Sequence, residues 1–214
     1  MNIQVKDLIP QPLAGTDQSD SGLWLNGQID FEYGGTNLVL SASGRGKSSL
    51  VSFLYGTRKD YHGSIYFEGK DILKFSFDKW IEYRKSKLAV VFQDLRLFEN
   101  LSMLENIRIK NSITNFKTEE EIQWMSETLG IQNLMNRKIS TLSYGQQQRV
   151  AIIRALCQPF SWIFLDEPFS HLDKANISIA MQLIEKEANK QNAGILITLL
   201  HPEESVVSSK IVKI

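Results

Sequence analysis

The sequence predicts a mainly parallel, three-layer α/β domain, and three observations predict it. Continuous apolar runs at Leu88-Ala89-Val90-Val91-Phe92, Trp162-Ile163-Phe164-Leu165 and Gly194 to Leu200 read as strands buried on both faces. They alternate with segments of helical periodicity, the pattern of a sheet crossed by helices. A further apolar run, Leu38-Val39-Leu40, feeds a Gly-rich turn and then a helical run from Ser48 to Leu54.

The remaining elements follow in order. Ile3-Gln4-Val5 is expected as an edge strand, and Pro10 to Gly22 as loop, from its Pro, Gly, Ser, Asp and Gln content. Leu23-Trp24-Leu25 and Ile29 to Tyr33 read as short strands joined by a turn at Asn26-Gly27. Gly34-Gly35 breaks the chain before the strand at Leu38. A turn at His62-Gly63 precedes a strand at Ser64 to Phe67, a second turn follows at Glu68 to Asp71, and residues 78–86 suit a short helix.

Residues 94–140 read as a helical insert. Thr118 and Glu121 make a capping box, Ile122, Met125 and Leu129 repeat at helical spacing, and Gly130 supplies a stop. Ser143, with Gln146 three residues on, opens another helix that runs to Leu156 and ends before Pro159. Asp173 caps a helix carrying Ile177, Ala180, Met181, Ile184 and Ala188 on one face. Val206 to Ile214 adds an edge element.

Bulk properties narrow the function. A chain of 214 residues suits one domain, and its zero formal net charge gives no global electrostatic case for nucleic acid. Cys157 is alone, which excludes an internal disulfide, and its apolar helical setting points to packing rather than catalysis. No stretch approaches the ~20 apolar residues of a membrane span. The first residues, Met1 to Asp7, lack a basic region followed by a long apolar run, so a cytoplasmic protein that meets a membrane only through a partner is expected.

The stretch Ser41-Ala42-Ser43-Gly44-Arg45-Gly46-Lys47-Ser48-Ser49 reads as a phosphate-binding loop. Gly44 and Gly46 let several N–H groups face one anion, and the helix behind them adds partial positive charge. Lys47 is placed to reach the β- and γ-phosphates, and Ser48 to hold Mg²⁺. The usual pattern has Gly where this chain has Ser41. A serine there must avoid positive φ or accept a cost of roughly 1–2 kcal/mol. Alone, the stretch also fits a Gly/Ser surface turn that happens to precede a lysine.

Four apolar residues followed by Asp166 and Glu167 form a second nucleotide signature. Asp166 is expected to bind Mg²⁺, through water, and Glu167 to polarise the attacking water as general base. Gln93 can touch both metal and water, and His201 can sense a γ-phosphate. Read singly, Gln93 is a polar strand terminus and His201 a structural histidine; His62 and His171 belong to no metal cluster. Yet the loop, Gln93, Asp166 and His201 each stand just past the C-terminal end of a buried strand. In an open parallel sheet those ends form the ligand crevice.

Residues 36–202 resemble the ATP-binding cassette of an ABC transporter, with the motifs in the family's order. Ser41 to Ser48 is similar to Walker A. Gln93, set in Val91-Phe92-Gln93, is similar to the Q-loop, and Leu142-Ser143-Tyr144-Gly145-Gln146 to the LSGGQ signature. Ile163 to Glu167 is similar to Walker B, Ser170-His171-Leu172-Asp173 to the D-loop, and His201 to the switch histidine. The signature, about twenty residues before Walker B, is the most specific of these.

The resemblance implies a P-loop NTPase sandwich with a mainly parallel central sheet, an N-terminal antiparallel β part and a helical insert. It implies a single domain over 1–214 with a helical subdomain at about 94–145. Ser41, Ser43, Gly44, Arg45, Gly46, Lys47, Ser48 and Ser49 would bind ATP, and Ser48, Gln93 and Asp166 would hold Mg²⁺. Glu167, Gln93 and His201 would serve hydrolysis. Ser143, Gly145 and Gln146 would cap the nucleotide of a facing cassette, in a homodimer or a heterodimer with a second cassette. Integral membrane permease subunits are the implied partners, holding the protein at the inner face of the cell membrane; nucleic acid is not a partner.

Two further departures stand out. Tyr144 replaces the first Gly of the signature pair, and can be accommodated with its side chain turned from the nucleotide. The family usually stacks adenine on an aromatic residue before Walker A; Gln11 to Ser21 has none, and Trp24 is the nearest candidate. Losing that partner costs on the order of 1 kcal/mol. The expected function is the ATP-hydrolysing subunit of a transporter, similar to compact cassettes of the lipoprotein-release, macrolide-export and cell-division group. The alternative is a cassette acting as a mechanical or regulatory switch on a non-transporting membrane partner. A soluble P-loop kinase would leave Leu142 to Gln146 without a role, and repair-type cassettes carry coiled-coil or zinc insertions that this chain lacks.

Overall fold

A computed structural model covers residues 1–214 and describes all of them except Ser19 and Asn26. Its strands are β1 (Ile3–Pro10), β2 (Gln28–Phe31), β3 (Thr36–Leu40), β4 (Tyr61–Phe67), β5 (Lys70–Asp71), β6 (Leu88–Val91), β7 (Trp162–Asp166), β8 (Gly194–Leu199) and β9 (Lys210–Lys213). The α-helices are α1 (Lys47–Leu54), α2 (Phe77–Ser86), α3 (Met103–Asn111), α4 (Glu119–Thr128), α5 (Tyr144–Leu156) and α6 (Lys174–Lys190).

The apolar runs become a five-stranded sheet in the order β6-β7-β8-β3-β9, parallel throughout. Each central strand is buried on both faces because its residues alternate between two cores. Ile163 and Leu165 of β7 join Ile195 and Ile197 of β8 in one core, which takes in buried residues of α3, α4, α5 and α6. Trp162 and Phe164 point the other way, into a core shared with α1, α2 and the second sheet. That second sheet is antiparallel, in the order β2-β1-β4-β5. The expected three-layer sandwich with an antiparallel N-terminal part is therefore present.

The helices begin where their caps predict. Thr118 and Ser143 each close a capping box, with Glu121 and Gln146, and Asp173 accepts from the Asn176 N–H. Each satisfies backbone donors that a helix start otherwise leaves unpaired. Val206 to Ile214 does add an edge element, as β9 beside β3.

Three local expectations are corrected. Ile3 to Val5 opens an eight-residue strand that is internal to its sheet, because β1 pairs with β2 on one side and β4 on the other. His62-Gly63 lies inside β4 rather than in a turn. Gly63 sits at φ +88°, where the register of β1 against β4 shifts, and a Cβ there would meet the Asp7 carbonyl oxygen at 2.3 Å. Its glycine marks a bulge. Leu23 to Leu25 forms no strand; Leu25 takes φ +56°, and Trp24 is drawn inward by a contact described below. The expected turn at Asn26-Gly27 involves Asn26 and lies outside the described residues.

Candidate active site

The phosphate loop leaves β3 at the carboxyl edge of the parallel sheet and closes onto α1. Gly44 and Gly46 take φ +79° and +98°, the left-handed region that glycine enters without strain. Gly46 is also pressed from below: a Cβ there would lie 2.9 Å from Trp24 Cζ2 and 3.3 Å from Leu13 Cδ1. Ser41 keeps φ out of the positive region and is buried. Its N–H donates to the Leu199 carbonyl at 3.2 Å, so the loop's first residue is tied to β8 without the strain a left-handed serine would carry.

Lys47 is folded back over this loop. Its ammonium donates to the Ser41 and Ala42 carbonyls at 2.7 and 2.9 Å and lies 3.2 Å from Glu167 Oε1. Ser48 is exposed to the crevice, and its hydroxyl donates to Gln93 Oε1 at 3.2 Å. Ser43, Gly44, Gly46, Ser48 and Ser49 line a hollow of about 210 Å³, closed by Lys47, Gln93 and Glu167. The Ser49 hydroxyl accepts from Arg58 Nη1 at 2.9 Å, and the Arg45 carbonyl accepts from the Trp24 indole at 2.9 Å.

Asp166 ends β7 and is buried. Burial raises its carboxyl above the usual range, opposed by hydrogen bonds from Ser48 and Thr198 and by the Lys47 charge; neighbouring Glu167 adds to the rise. The Thr198 hydroxyl donates to Asp166 Oδ1 at 2.8 Å and accepts from the Glu167 N–H at 3.2 Å. Glu167 stands at φ +47°, a conformation that costs a non-glycine residue roughly 1–2 kcal/mol. Its amide is pinned to Thr198, which maintains that conformation and points the carboxylate at Lys47. Backbone strain of this kind concentrates at functional sites.

Ser48, Gln93 and Asp166 therefore present oxygen donors to one place. Among the described residues no group of three or more His, Cys, Asp or Glu side chains is arranged to hold a metal by itself. A sparse set of oxygens suits Mg²⁺, which is usually held by one or two protein ligands together with substrate phosphates.

His201 lies beyond β8 and is exposed. It lines a neighbouring hollow with Phe169, Ser170 and Glu203, and Glu167 belongs to both hollows. Ser143, Gly145 and Gln146 open α5. The Ser143 hydroxyl accepts from the Gln146 N–H, and the Gln146 side chain accepts from the Ser143 N–H at 2.9 Å. Gly145 packs so closely on the loop after β7 that a Cβ would meet the His171 carbonyl oxygen at 2.6 Å.

Sequence reasoning missed the supports of this site. Trp24 cannot stack on adenine: it is 1% exposed, and its indole holds the Arg45 carbonyl beneath the loop. Thr198 is fully buried inside an apolar strand, and only the pairing of β7 with β8 reveals that it faces Asp166. Its one local signal was a hydroxyl in the apolar run Gly194 to Leu200.

Comparison with known proteins agrees with this geometry. Residues 26–170 match the ABC transporter family. The chain is 36% identical over 172 residues to the lipoprotein-releasing system ATP-binding protein LolD of Buchnera aphidicola, covering 79% of this chain and 75% of the relative. It is 32% identical over 212 residues to the phosphonates import ATP-binding protein PhnC of Fusobacterium nucleatum, covering 94% and 83%. Its fold resembles the dimeric structure of MJ0796, a bacterial ABC transporter cassette, with TM-score 0.74, 26% identity and coverage of 92% and 87%. The fold also matches a dimeric post-hydrolysis state of MJ0796 bound to ADP and Pi, with TM-score 0.77, 23% identity and coverage of 99% and 94%. This chain belongs to the ABC transporter family, as one of its ATP-binding, ATP-hydrolysing subunits.

Proposed function

We propose that the chain binds ATP with Mg²⁺ in the hollow at the phosphate loop, hydrolyses it through Glu167, and drives a membrane partner by opening and closing against a second cassette. The observation that carries this reading is the meeting of distant segments at one point. Lys47 touches Glu167 at 3.2 Å while its neighbour Ser48 touches Gln93 at 3.2 Å.

The backbone N–H groups around Ser43, Gly44, Arg45 and Gly46 and the start of α1 favour the phosphate charge. Lys47 pairs with the β- and γ-phosphates, and Ser41 and Ser49 hold the loop's two ends. Ser48, Gln93 and Asp166 would hold Mg²⁺, which would supply positive charge to offset the charge developing on the phosphates. Glu167 accepts the proton of the attacking water as the water's oxygen bonds the γ-phosphorus and the bond to ADP breaks. His201 contacts the γ-phosphate once the adjoining hollows close together. Ser143, Gly145 and Gln146, at a helix start, cap the nucleotide of the facing cassette. Residues of about 94–145, carrying α3, α4 and the start of α5, relay closure to the partner.

No helix among the described residues is long and apolar enough to cross a membrane. Integral membrane permease subunits are therefore the proposed anchor, at the inner face of the membrane. Tagging the protein in its native cells, solubilising membranes gently with ATP and identifying what co-purifies tests this. Recovery of a multi-spanning permease is the expected result. Recovery of a membrane protein that transports nothing would favour a mechanical or regulatory switch, and a wholly soluble protein with no membrane partner would overturn the coupling role.

A further inference from the structure

The signature position that differs from the family, Tyr144, makes a contact that a glycine cannot make. Its phenol donates to the backbone carbonyl of Gln93 at 2.7 Å. Its ring packs on His171, with centroids 4.4 Å apart. The first residue of α5 thus grips the segment that follows β6, in the same chain.

That segment needs holding. Leu95 and Arg96 both take positive φ, +56° and +48°, which is strained for residues with a side chain. The far end of α5 grips the segment too: Arg154 donates to the Leu95 and Arg96 carbonyls at 2.6 and 2.7 Å. Arg154 fixes the strained pair, and Tyr144 fixes Gln93 itself. With its backbone held, Gln93 places its side-chain oxygen on the Ser48 hydroxyl. Tyr144, Ser48, Gln93 and Asp166 all line one hollow next to the phosphate loop.

We propose that Tyr144 is a positioning residue for Gln93: the Tyr144 phenol, by holding the Gln93 carbonyl, pre-sets the Ser48–Gln93 oxygen pair that receives Mg²⁺ with the nucleotide. This rests on the reading of Ser48 and Gln93 as Mg²⁺ ligands given above. A side chain that contributes only to folding would affect nucleotide binding with and without Mg²⁺ alike. A positioning residue acts only where its target acts.

The test is equilibrium binding of a fluorescent, non-hydrolysable ATP analogue to the full chain, in Mg²⁺ and in EDTA, for wild type, Tyr144→Phe, Gln93→Ala and the double variant. Tyr144→Phe keeps the ring on His171 and removes only the hydroxyl. It is expected to lower affinity in Mg²⁺ roughly 3- to 10-fold, the scale of one hydrogen bond, and to leave affinity in EDTA unchanged. In the Gln93→Ala background it is expected to add nothing, because the target is gone. Equal affinity of Tyr144→Phe and wild type in Mg²⁺, an equal loss in EDTA, or full additivity with Gln93→Ala would each overturn the proposal while leaving the Mg²⁺ site intact. A wild type that gains no affinity from Mg²⁺ would instead overturn the underlying ligand assignment, and the role of Tyr144 with it.

Discussion

The Lys47 ammonium lies 3.2 Å from Glu167 Oε1, and the two side chains are only 4% and 12% exposed. The lysine proposed to meet the γ-phosphate is thus paired with the carboxylate proposed to activate water. A nucleotide reaching Lys47 competes with Glu167 for it. Glu167→Gln removes that competitor's charge while keeping its size. We expect the variant to bind ATP several-fold more tightly than wild type in EDTA, where hydrolysis does not intervene. Titration of both proteins with a fluorescent ATP analogue checks this; equal affinities would mean that the pair does not restrain Lys47.

Gly46 combines φ +98° with a Cβ position 2.9 Å from the Trp24 ring. Gly46→Ala therefore strains the backbone and presses on a buried indole. We expect a loss of about 1–3 kcal/mol in a urea unfolding titration and loss of measurable ATP binding. Trp24→Phe removes the hydrogen bond to the Arg45 carbonyl and part of the buried ring packed beneath Gly46. It is expected to cost about 2–4 kcal/mol and to weaken ATP binding without abolishing it.

The contrast between those two residues marks how far the sequence was legible. Gly46 was readable because a phosphate loop imposes its glycine locally. The buried strands were readable because apolar runs such as Trp162 to Leu165 have no other economical fate than a sheet covered on both faces. Trp24 was misjudged because its partner is Arg45, 21 positions away, and nothing local reveals the loop packed upon it. Thr198 was missed for the same reason: its meaning comes from the register of β8 against β7. Gly63 was misread because a glycine beside a strand signals a turn and a bulge alike. Tyr144 was noticed as a departure, but its partner, the Gln93 carbonyl, lies 51 positions away.

A buried ion-pair cluster ties α4 to α6. Lys117 lies 2.7 Å from Glu187 and 3.0 Å from Glu121, and Lys190 lies 2.7 Å from the other Glu187 oxygen. Burial disfavours the Lys117 charge, yet the hydrogen bonds and charges of Glu187 and Glu121 prevail and hold its ammonium above its ordinary range. Removing Glu187 leaves the buried Lys117 ammonium with the partly exposed Glu121 carboxylate as its remaining ion-pair partner. Glu187→Ala is expected to destabilise the protein by about 1–3 kcal/mol, measured as a lowered urea midpoint. An unchanged midpoint would show that the cluster contributes little.

Cys157 is fully buried, and burial pushes its thiol up to about 12. The native protein is expected to resist iodoacetamide at pH 8 and to react promptly once unfolded, because only the thiolate attacks. The linkage has a definite sign. The unfolded thiol ionises near 9 and the native one near 12, so this group's contribution is fully present below pH 9 and is lost as pH rises through that window. Alkylation of the native protein at pH 8 as fast as of the unfolded chain would contradict the burial.

The central claim, hydrolysis of ATP by Glu167, is tested most directly by the steady-state rate of phosphate release from saturating Mg-ATP. Wild type and Glu167→Gln are compared as purified proteins. The expected result is a wild-type turnover that falls by about 10²- to 10⁴-fold in the variant, the range for loss of a general base. A wild-type rate no faster than that of Glu167→Gln would contradict it.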